Sequence, residues 1–307
     1  MNKFSKIFVA GHNGMVGKAI VNLLKKKKFK NIIVKKKYDL DLTNSVSVKK
    51  FFQKYKPEYV FHAAGLVGGI KANSEKKADF MYVNLAIGAN LIKYSSEYKV
   101  KKFLNLGSSC IYPRNAAQPI NENSLMTGQL EPTNEGYSLA KLSIIKLGNF
   151  YREQYKLNFI TIMPPNLYGP NDSFDLNNCH VLSALIKKFY DANKNKKKIV
   201  EVWGTGKATR EFMHVNDLAE ACLYFMKYYN EKKIINVGFG KDISIKQLAH
   251  LIKNSINYKG KIVWNKTKPD GMPKKCMNIN RMKKLNFFPK ISLKEGILEM
   301  INIYESS

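Results

Sequence analysis

The residues best suited to chemistry are a serine, a cysteine, a tyrosine and a lysine near the middle of the chain. Ser108 and Cys110 lie in the sequence GSSCIY, directly after an apolar run. Tyr137 and Lys141 follow in the sequence YSLAK and share one face of a predicted helix. An ammonium acting through a cofactor ribose would lower the phenol's pKa from about 10, so that Tyr137 exchanges a proton with a carbonyl oxygen near neutral pH. The combination predicts a site for carbonyl chemistry.

A glycine-rich segment near the N-terminus predicts a site for a dinucleotide. The sequence GHNGMVG at residues 11–17 follows an apolar run and opens a helical pattern. In that context glycines make a tight turn, admit a pyrophosphate and let helix and strand pack closely. The spacing is GxxGxxG rather than GxGxxG, so an ordinary glycine turn is the alternative. The predicted cofactor contacts are Gly11, Asn13, Gly14, Met15, Val16 and Gly17.

The residues that follow the second apolar run indicate which dinucleotide binds. Sites for NAD carry an acid about 20 residues beyond the glycines, where it binds the ribose 2′-hydroxyl. Here residues 35–37 are KKK, which suits the 2′-phosphate of NADPH; a chance basic run in a lysine-rich chain is the alternative. Lys37 is a predicted NADPH contact. Asp41 either binds the adenine amino group or caps the next turn.

The elements that position these residues alternate in type. Apolar runs at residues 6–10, 31–34, 59–64, 103–106 and 159–163 predict buried parallel strands. Amphipathic patterns at residues 15–24, 46–55, 79–98 and 135–155 predict the helices between them. This alternation predicts an α/β fold: a Rossmann-type doubly wound parallel sheet with a smaller C-terminal α/β substrate lobe.

The pattern changes after residue 170, and this predicts two domains. A polar loop at residues 171–178 precedes a helix at 180–193, a strand at 199–203 and a helix at 215–229. Residues 234–237 predict a strand that returns to the first sheet, and a strand at 261–264 and two helices close the chain. We assign residues 1–170, with a returning segment at about 212–240, to an NADP-binding Rossmann domain. Residues 171–211 and 241–307 form the predicted substrate-binding lobe.

The strong positive charge first suggests a polyanion partner. The net charge is +29 in 307 residues, and a field of that sign attracts nucleic acids and anionic membranes. However, the 52 basic residues include only four arginines, and the lysines lie mostly on predicted helix surfaces and loops. We interpret the charge as a solvated surface and expect neither nucleic acid nor membrane as a partner.

The cysteines and the apolar runs limit which classes of protein this chain could belong to. Four cysteines without CxxC pairing, and no cluster with the five histidines, predict neither a disulfide framework nor a metal site. The first apolar run is too short for a secretory signal, and no 18-residue apolar stretch follows. These features predict a cytoplasmic globular protein.

The motifs together resemble those of the extended short-chain dehydrogenase/reductases, and more narrowly those of the GDP-L-fucose synthases, which are GDP-4-keto-6-deoxymannose epimerase/reductases. The resemblance covers nearly the whole chain. Its motifs are GHNGMVG at residues 11–17, AAGLVGGI at 63–70, GSSCIYP at 107–113, PPNLYGP at 164–170, WGTG at 203–206 and PDG at 269–271.

The resemblance implies a role for each chemical residue. Cys110 and His180 would be the base and the acid that invert C3 and C5, whose hydrogens a C4 ketone acidifies. Tyr137 would protonate the C4 oxygen during reduction by NADPH, with Lys141 beside it and Ser108 hydrogen-bonded to that oxygen. Taken alone, Cys110 would be a buried structural thiol and His180 a helix-terminal residue. Further implied cofactor contacts are Leu106, Gly107, Ser108, Tyr137, Lys141, Pro164, Asn166, Leu167 and His180.

The same resemblance implies the substrate, GDP-4-keto-6-deoxy-mannose, and its contacts Lys188, Trp203, Arg210 and Asp270. A planar guanidinium suits a diphosphate, although Arg210 in a structural ion pair and Trp203 in core packing are the alternatives. Asn13 and Lys188 depart from the arginines of better-studied members, which bears on 2′-phosphate and diphosphate binding.

Two rival functions and one assembly complete the predictions. The rivals are another nucleotide-sugar epimerase or reductase and a non-catalytic basic binding protein on a Rossmann scaffold. The complete set of Ser108, Cys110, Tyr137, Lys141 and His180 argues against the second. The resemblance implies a homodimer through the two long helices at residues 79–98 and 135–155, with the fold's own core as the alternative use of their apolar residues.

Overall fold

A computed structural model describes residues 1–176, 179–268 and 270–306. The end of the predicted polar loop, Asn177 and Asn178, lies outside the described residues, as do Pro269 of the PDG motif and Ser307. The strands, in chain order, are β1 Ile7–Ala10, β2 Ile32–Ile33, β3 Tyr59–His62, β4 Lys102–Leu106, β5 Phe159–Met163, β6 Asn166–Tyr168, β7 Ile199–Trp203, β8 Thr209–His214, β9 Ile235–Asn236, β10 Asp242–Ser244, β11 Lys261–Asn265 and β12 Lys274–Lys275. The α-helices are α1 Met15–Lys26, α2 Ser45–Tyr55, α3 Ile70–Glu75, α4 Lys77–Glu97, α5 Glu135–Tyr155, α6 Val181–Lys194, α7 Val215–Tyr228, α8 Ile245–Ser255, α9 Asn280–Lys284 and α10 Leu293–Glu305.

The central sheet is parallel and doubly wound, as the sequence predicts. Its strand order is β2-β1-β3-β4-β5-β9. Side chains of β1 alternate between the two faces: Ile7 and Val9 join a core with α1 and α7, whereas Phe8 and Ala10 join a core with α2, α4 and α5. Rossmann-type architecture is therefore confirmed, and β9 is the predicted strand that returns to the sheet.

A second core lies in the C-terminal part of the chain. There β8 pairs with β6, β10 and β12, while β7 pairs with β11 in a parallel ribbon. Helices α6, α8 and α10 bury Phe189, Leu248 and Met300 against these strands. Part of this segment crosses back, because Met282 on α9 is buried in the core of the large sheet. The division into two domains stays a prediction.

Candidate active site

A cavity of about 1210 Å³ lies at the carboxyl ends of β1, β3, β4 and β5, where ligands bind in open parallel sheets. Its opposite wall comes from α6, β7, β8 and the segment around residue 270. Most of the predicted site residues line this one cavity: Gly11, Asn13, Gly14, Met15, Val16, Lys37, Asp41, Gly107, Ser108, Cys110, Tyr137, Pro164, Asn166, Leu167, His180, Lys188, Trp203, Arg210 and Asp270. Gly17, Leu106 and Lys141 lie behind its wall.

The glycine segment forms a cradle of bare backbone that suits a dinucleotide pyrophosphate. Gly11 has a φ of +85°, and a Cβ there would lie 2.6 Å from the backbone of Ala64. At Gly17 a Cβ would lie 2.1 Å from the Gly11 carbonyl oxygen, so only glycine lets α1 pack this closely. Gly14 begins α1 without a side chain to cap it, which leaves the helix N-terminus facing the cavity. The residues present fit a dinucleotide.

The basic run beyond β2 divides its lysines between two environments. Lys35 and Lys37 line the cavity, but the Lys35 ammonium lies 5.0 Å from the Tyr55 ring centroid. Lys36 lies 5.6 Å from the ring of Tyr38. Asp41 accepts hydrogen bonds from the Thr43 amide at 2.9 Å and its hydroxyl at 2.7 Å, which lower the pKa of its carboxyl. These contacts support the turn-capping interpretation of Asp41, which also lines the cavity, and its contact with adenine stays a prediction.

Tyr137 and Lys141 lie on one face of α5 near the end of β4, without a direct bond between their side chains. The Lys141 ammonium donates to the Leu106 carbonyl oxygen at 3.1 Å and lies 5.8 Å from the Tyr137 ring centroid. Burial lowers the pKa of Lys141 to about 8. For Tyr137, burial first and the charge of Cys110 second raise the pKa, while a hydrogen bond with Ser108 opposes them. In the protein by itself desolvation therefore dominates the pKa of Tyr137, and the lowering expected through a cofactor ribose stays a prediction.

Cys110 follows Ser108 in a 3-10 turn at Ser109–Ile111, and its thiol meets a lysine that the sequence analysis missed. The Lys275 ammonium donates to the Cys110 sulfur at 3.4 Å. Burial acts to raise the pKa of Cys110, but the Lys275 charge, hydrogen bonds from Ser108 and Lys275, and the Arg210 charge lower it overall. The site therefore makes the thiol more acidic, and the thiolate is the form that acts as a base. No signal in the sequence distinguishes Lys275 among so many lysines.

His180 occupies the N-cap position of α6 without a side-chain capping bond, and it lines the cavity near a carboxylate that the sequence analysis also missed. Asp172 accepts a hydrogen bond from the Ser183 hydroxyl at 2.5 Å. Burial raises the pKa of Asp172, and that hydrogen bond and the nearby His180 charge oppose the rise. The His180 imidazole at the start of α6 and the Asp172 carboxyl thus lie on the same side of the cavity.

The opposite wall gathers the residues expected to contact the nucleotide. Arg210 donates to the carbonyl oxygens of Thr209 at 2.8 Å, Met272 at 2.5 Å and Asp270 at 3.1 Å. The Asp270 carboxylate accepts from the Thr205 amide at 2.8 Å and its hydroxyl at 2.6 Å. These bonds fix the segment around residue 271 against the turn after β7. Within the described part of the chain no carboxylate oxygen lies within 4.0 Å of the Arg210 guanidinium, which argues against the alternative structural ion pair.

Trp203 is half exposed in the cavity wall, which excludes the core-packing alternative. Two ammonium groups flank its ring: Lys188 lies 5.8 Å and Lys268 lies 5.3 Å from the indole. Lys188 also donates to the Glu201 carbonyl oxygen at 3.0 Å. Aromatic and cationic groups are thereby combined where a base and a diphosphate could bind.

Two features are absent from the described residues. Within residues 1–176, 179–268 and 270–306 no group of three or more His, Cys, Asp or Glu side chains is arranged to hold a metal ion. In the same ranges no helix has the length and apolar character needed to cross a membrane.

Comparison with known proteins shows that this chain is similar to enzymes named for GDP-linked sugars. Residues 7–238 match the NAD dependent epimerase/dehydratase family. GDP-L-fucose synthase 1 of Arabidopsis thaliana is 47% identical, over 99% of this chain and 94% of that protein. The structure of a GDP-L-fucose synthetase from Naegleria fowleri bound to NADP has a TM-score of 0.91 at 29% identity, and covers 100% of this chain and 95% of that one. A GDP-6-OMe-4-keto-L-xylo-heptose reductase from C. jejuni has a TM-score of 0.94 at 37% identity, with coverage of 100% and 99%.

Proposed function

This chain belongs to the NAD dependent epimerase/dehydratase family and, within it, to the GDP-L-fucose synthases, and we propose that it converts GDP-4-keto-6-deoxy-D-mannose to GDP-L-fucose. The conversion consists of two epimerisations and one reduction in a single site. The observation that carries the proposal is the meeting of Cys110 and Tyr137 beside Ser108, with the pKa of the thiol lowered and that of the phenol raised. The thiol is thus shifted toward the role of base and the phenol toward the role of acid.

Epimerisation needs a base on one face of the sugar and an acid on the other. The Cys110 thiolate removes the proton from C3 or C5 and becomes a thiol, while the electron pair forms an enolate whose charge lies on the C4 oxygen. The Ser108 hydroxyl and the Tyr137 phenol donate to that oxygen and stabilise the enolate. His180 returns a proton to the carbon from the opposite face, which inverts the centre.

Reduction uses the same oxygen contacts. NADPH, when bound in the glycine cradle, supplies the hydride for C4. Tyr137 is protonated over the whole neutral range because burial raises its pKa, so it can transfer a proton to the C4 oxygen as the carbonyl is reduced. Lys141 holds the base of the cofactor pocket through its bond to the Leu106 carbonyl oxygen. The diphosphate and base of the substrate bind along Arg210, Lys188 and Trp203 on the opposite wall.

A direct assay tests the proposed reaction. Purified protein receives GDP-4-keto-6-deoxy-D-mannose and NADPH, the NADPH absorbance is followed, and the product sugar is identified by NMR. Parallel reactions with 4-keto sugars linked to other nucleotides test the contribution of the GDP contacts. We expect GDP-L-fucose from the GDP substrate and much slower turnover of the others.

A second candidate is reduction of a GDP-linked ketose without epimerisation. The C. jejuni heptose reductase, with its TM-score of 0.94, favours it. NADPH consumption with a product that is uninverted at C3 and C5 would establish this candidate and overturn the first.

A homodimer in the cytoplasm completes the proposal. Helices α4 and α5 pack on one another, and they leave Met81, Tyr82 and Phe150 exposed. A second copy of this pair would cover these side chains in a four-helix interface. Light scattering coupled to gel filtration tests the dimer, with a monomer mass as the contrary result, and cell fractionation tests the location.

Retention on a nucleic-acid column at physiological salt would contradict the expectation that the charge serves only as a solvated surface.

A further inference from the structure

Lys275 has a position unlike that of most lysines in this chain. It lies on β12, in parallel register with Arg210 on β8, and only 8% of its surface is exposed. Its neighbour Lys274 is exposed on the other side of the strand, where its ammonium lies 3.9 Å from Asp242. The alternation of side chains along a strand thus turns one lysine to the surface and the next into the cavity.

A buried ammonium is costly unless it has a partner of opposite charge or a good acceptor. Among residues 1–176, 179–268 and 270–306, no carboxylate oxygen lies within 4.0 Å of the Lys275 nitrogen. The acceptor that this ammonium contacts is the Cys110 sulfur, at 3.4 Å. A thiolate is a far better partner for a buried cation than a neutral thiol, so each group stabilises the charged form of the other.

The backbone around Lys275 is held firmly. Two residues further on, the Met277 amide donates to the carboxylate of Glu211 at 2.8 Å. The Gly240 amide donates to the same buried carboxylate at 2.8 Å, so Glu211 joins the strand end to the adjacent loop. Lys275 is therefore aimed at Cys110 by the sheet rather than by a flexible surface loop.

We propose that Lys275 is a positioning residue that keeps Cys110 in the thiolate form and so determines whether the ketose is epimerised before it is reduced. The role of the thiolate as base rests on the proposed function. Lys275 does not itself take the substrate proton: the proton moves from carbon to sulfur, and the ammonium keeps its own protons throughout.

The other charged or titratable groups facing the thiol do not replace Lys275. The Arg210 guanidinium contributes at longer range, but it is bonded to three backbone carbonyl oxygens. Ser108 is a neutral hydrogen-bond partner. A negative charge on Tyr137 would oppose the thiolate, but its raised pKa keeps the phenol neutral. Loss of the Lys275 charge should therefore leave the burial of the thiol largely uncompensated.

The first test measures the thiolate without any sugar. Protein is alkylated with iodoacetamide over a range of pH, and modification of Cys110 is read by peptide mass spectrometry, which separates it from the other three cysteines. In the unaltered protein we expect half-maximal reactivity clearly below about pH 8.5, the value for a free cysteine. Lys275→Met should move this midpoint up by about one unit or more, an approximately tenfold loss of rate at neutral pH. Lys274→Met is the matched control and should leave the midpoint unchanged.

The second test measures the consequence for catalysis. With GDP-4-keto-6-deoxy-D-mannose in deuterated buffer, Lys275→Met should lower deuterium incorporation at C3 and C5 by about tenfold or more while NADPH consumption continues. Lys275→Arg should restore part of the exchange because it keeps the charge. Unaltered alkylation midpoints in Lys275→Met, or a midpoint at or above about pH 8.5 in the unaltered protein, would overturn the proposal even if the variant folds poorly. A shifted midpoint in a protein that turns over no GDP sugar would instead refute the proposed function and leave the ion pair intact.

Discussion

The Cys110 thiol and the Tyr137 phenol lie close enough to influence each other beside Ser108, and their pKa values shift in opposite directions. The pKa of the thiol is lowered by the cations on β12 and β8, whereas the pKa of the phenol is raised by burial and by the charge of the thiolate. Each group therefore favours the protonation state that the other needs. The first acts as a base toward carbon and the second as an acid toward oxygen, without competing for one proton.

Single substitutions should separate the two half-reactions. Cys110→Ser should nearly abolish deuterium incorporation at C3 and C5, because a hydroxyl is much less acidic than a thiol with a pKa of about 8.5. Reduction should continue slowly through Ser108, Tyr137 and Lys141, giving a GDP-6-deoxyhexose other than fucose. Tyr137→Phe should lose reduction and keep some exchange. Mass spectrometry and NMR of the sugar measure both outcomes. Normal GDP-L-fucose from Cys110→Ser would show that Cys110 is a packed structural thiol and not the base.

The preference for NADPH over NADH should depend on Lys37. Its side chain lines the cavity, and an ammonium near a ribose 2′-phosphate favours NADPH alone. We expect Lys37→Ser to raise the KM for NADPH by about tenfold and to leave that for NADH nearly unchanged. Lys36→Ser is the control, since its ammonium lies over Tyr38. Equal kcat/KM for the two cofactors in the unaltered protein would mean that the basic run is a surface feature.

Arg210→Lys should affect binding more than chemistry. The guanidinium bonds to three carbonyl oxygens at once, a geometry that an ammonium cannot reproduce, and it fixes the segment that meets the GDP end. We expect KM for the GDP sugar to rise by about tenfold with a much smaller change in kcat, because diphosphate contacts are shared by ground and transition states. Arg152→Lys, which removes carbonyl contacts far from the cavity, is the control. A change confined to kcat would place Arg210 at the reacting atoms.

The sequence predicts the large sheet better than the second wall of the site. For α5 the predicted and observed bounds agree, because the helical period is sustained for 21 residues. The two-residue strand β12 has no pattern of its own, and it exists because it pairs with β8. Lys275 follows from that pairing, so its contact with Cys110 could not be inferred from spacing. The direction of the Tyr137 pKa depends on burial, which the spacing of Tyr137 and Lys141 does not reveal.

His62 should make the protein sensitive to acid. Burial lowers its pKa to about 3 from 6.5, despite a 3.1 Å hydrogen bond between its Nδ1 and the Asn105 side-chain oxygen. Between these values the unfolded chain binds the extra proton, so the free energy of unfolding falls as the pH falls below 6.5. Between about pH 6.5 and 4 the free energy of unfolding should fall less in His62→Leu than in the unaltered protein, by about 3 kcal/mol. Urea unfolding across this range measures it, with exposed His250→Gln as control; parallel pH profiles would show that His62 does not titrate this way.

The buried charge of Lys141 should destabilise the folded protein. Burial lowers its pKa to about 8 from 10.5, so the folded protein bears the full cost of the buried ammonium below about pH 8. Lys141→Met removes that cost. It also removes the hydrogen bond to the Leu106 carbonyl oxygen, and such a bond contributes about 1 kcal/mol. We expect the variant, without cofactor, to be more stable by about 1–2 kcal/mol at pH 7 and to have lost reduction. As the pH rises from 8 toward 10.5 the cost disappears from the unaltered protein, so the difference in stability between the two proteins should shrink.

Urea unfolding at pH 7 and at about pH 9.5 measures this difference. Lys146→Met, exposed on the same helix, is the control. A variant that is less stable at pH 7, or a difference that grows with pH, would show that the Lys141 charge is well compensated where it lies.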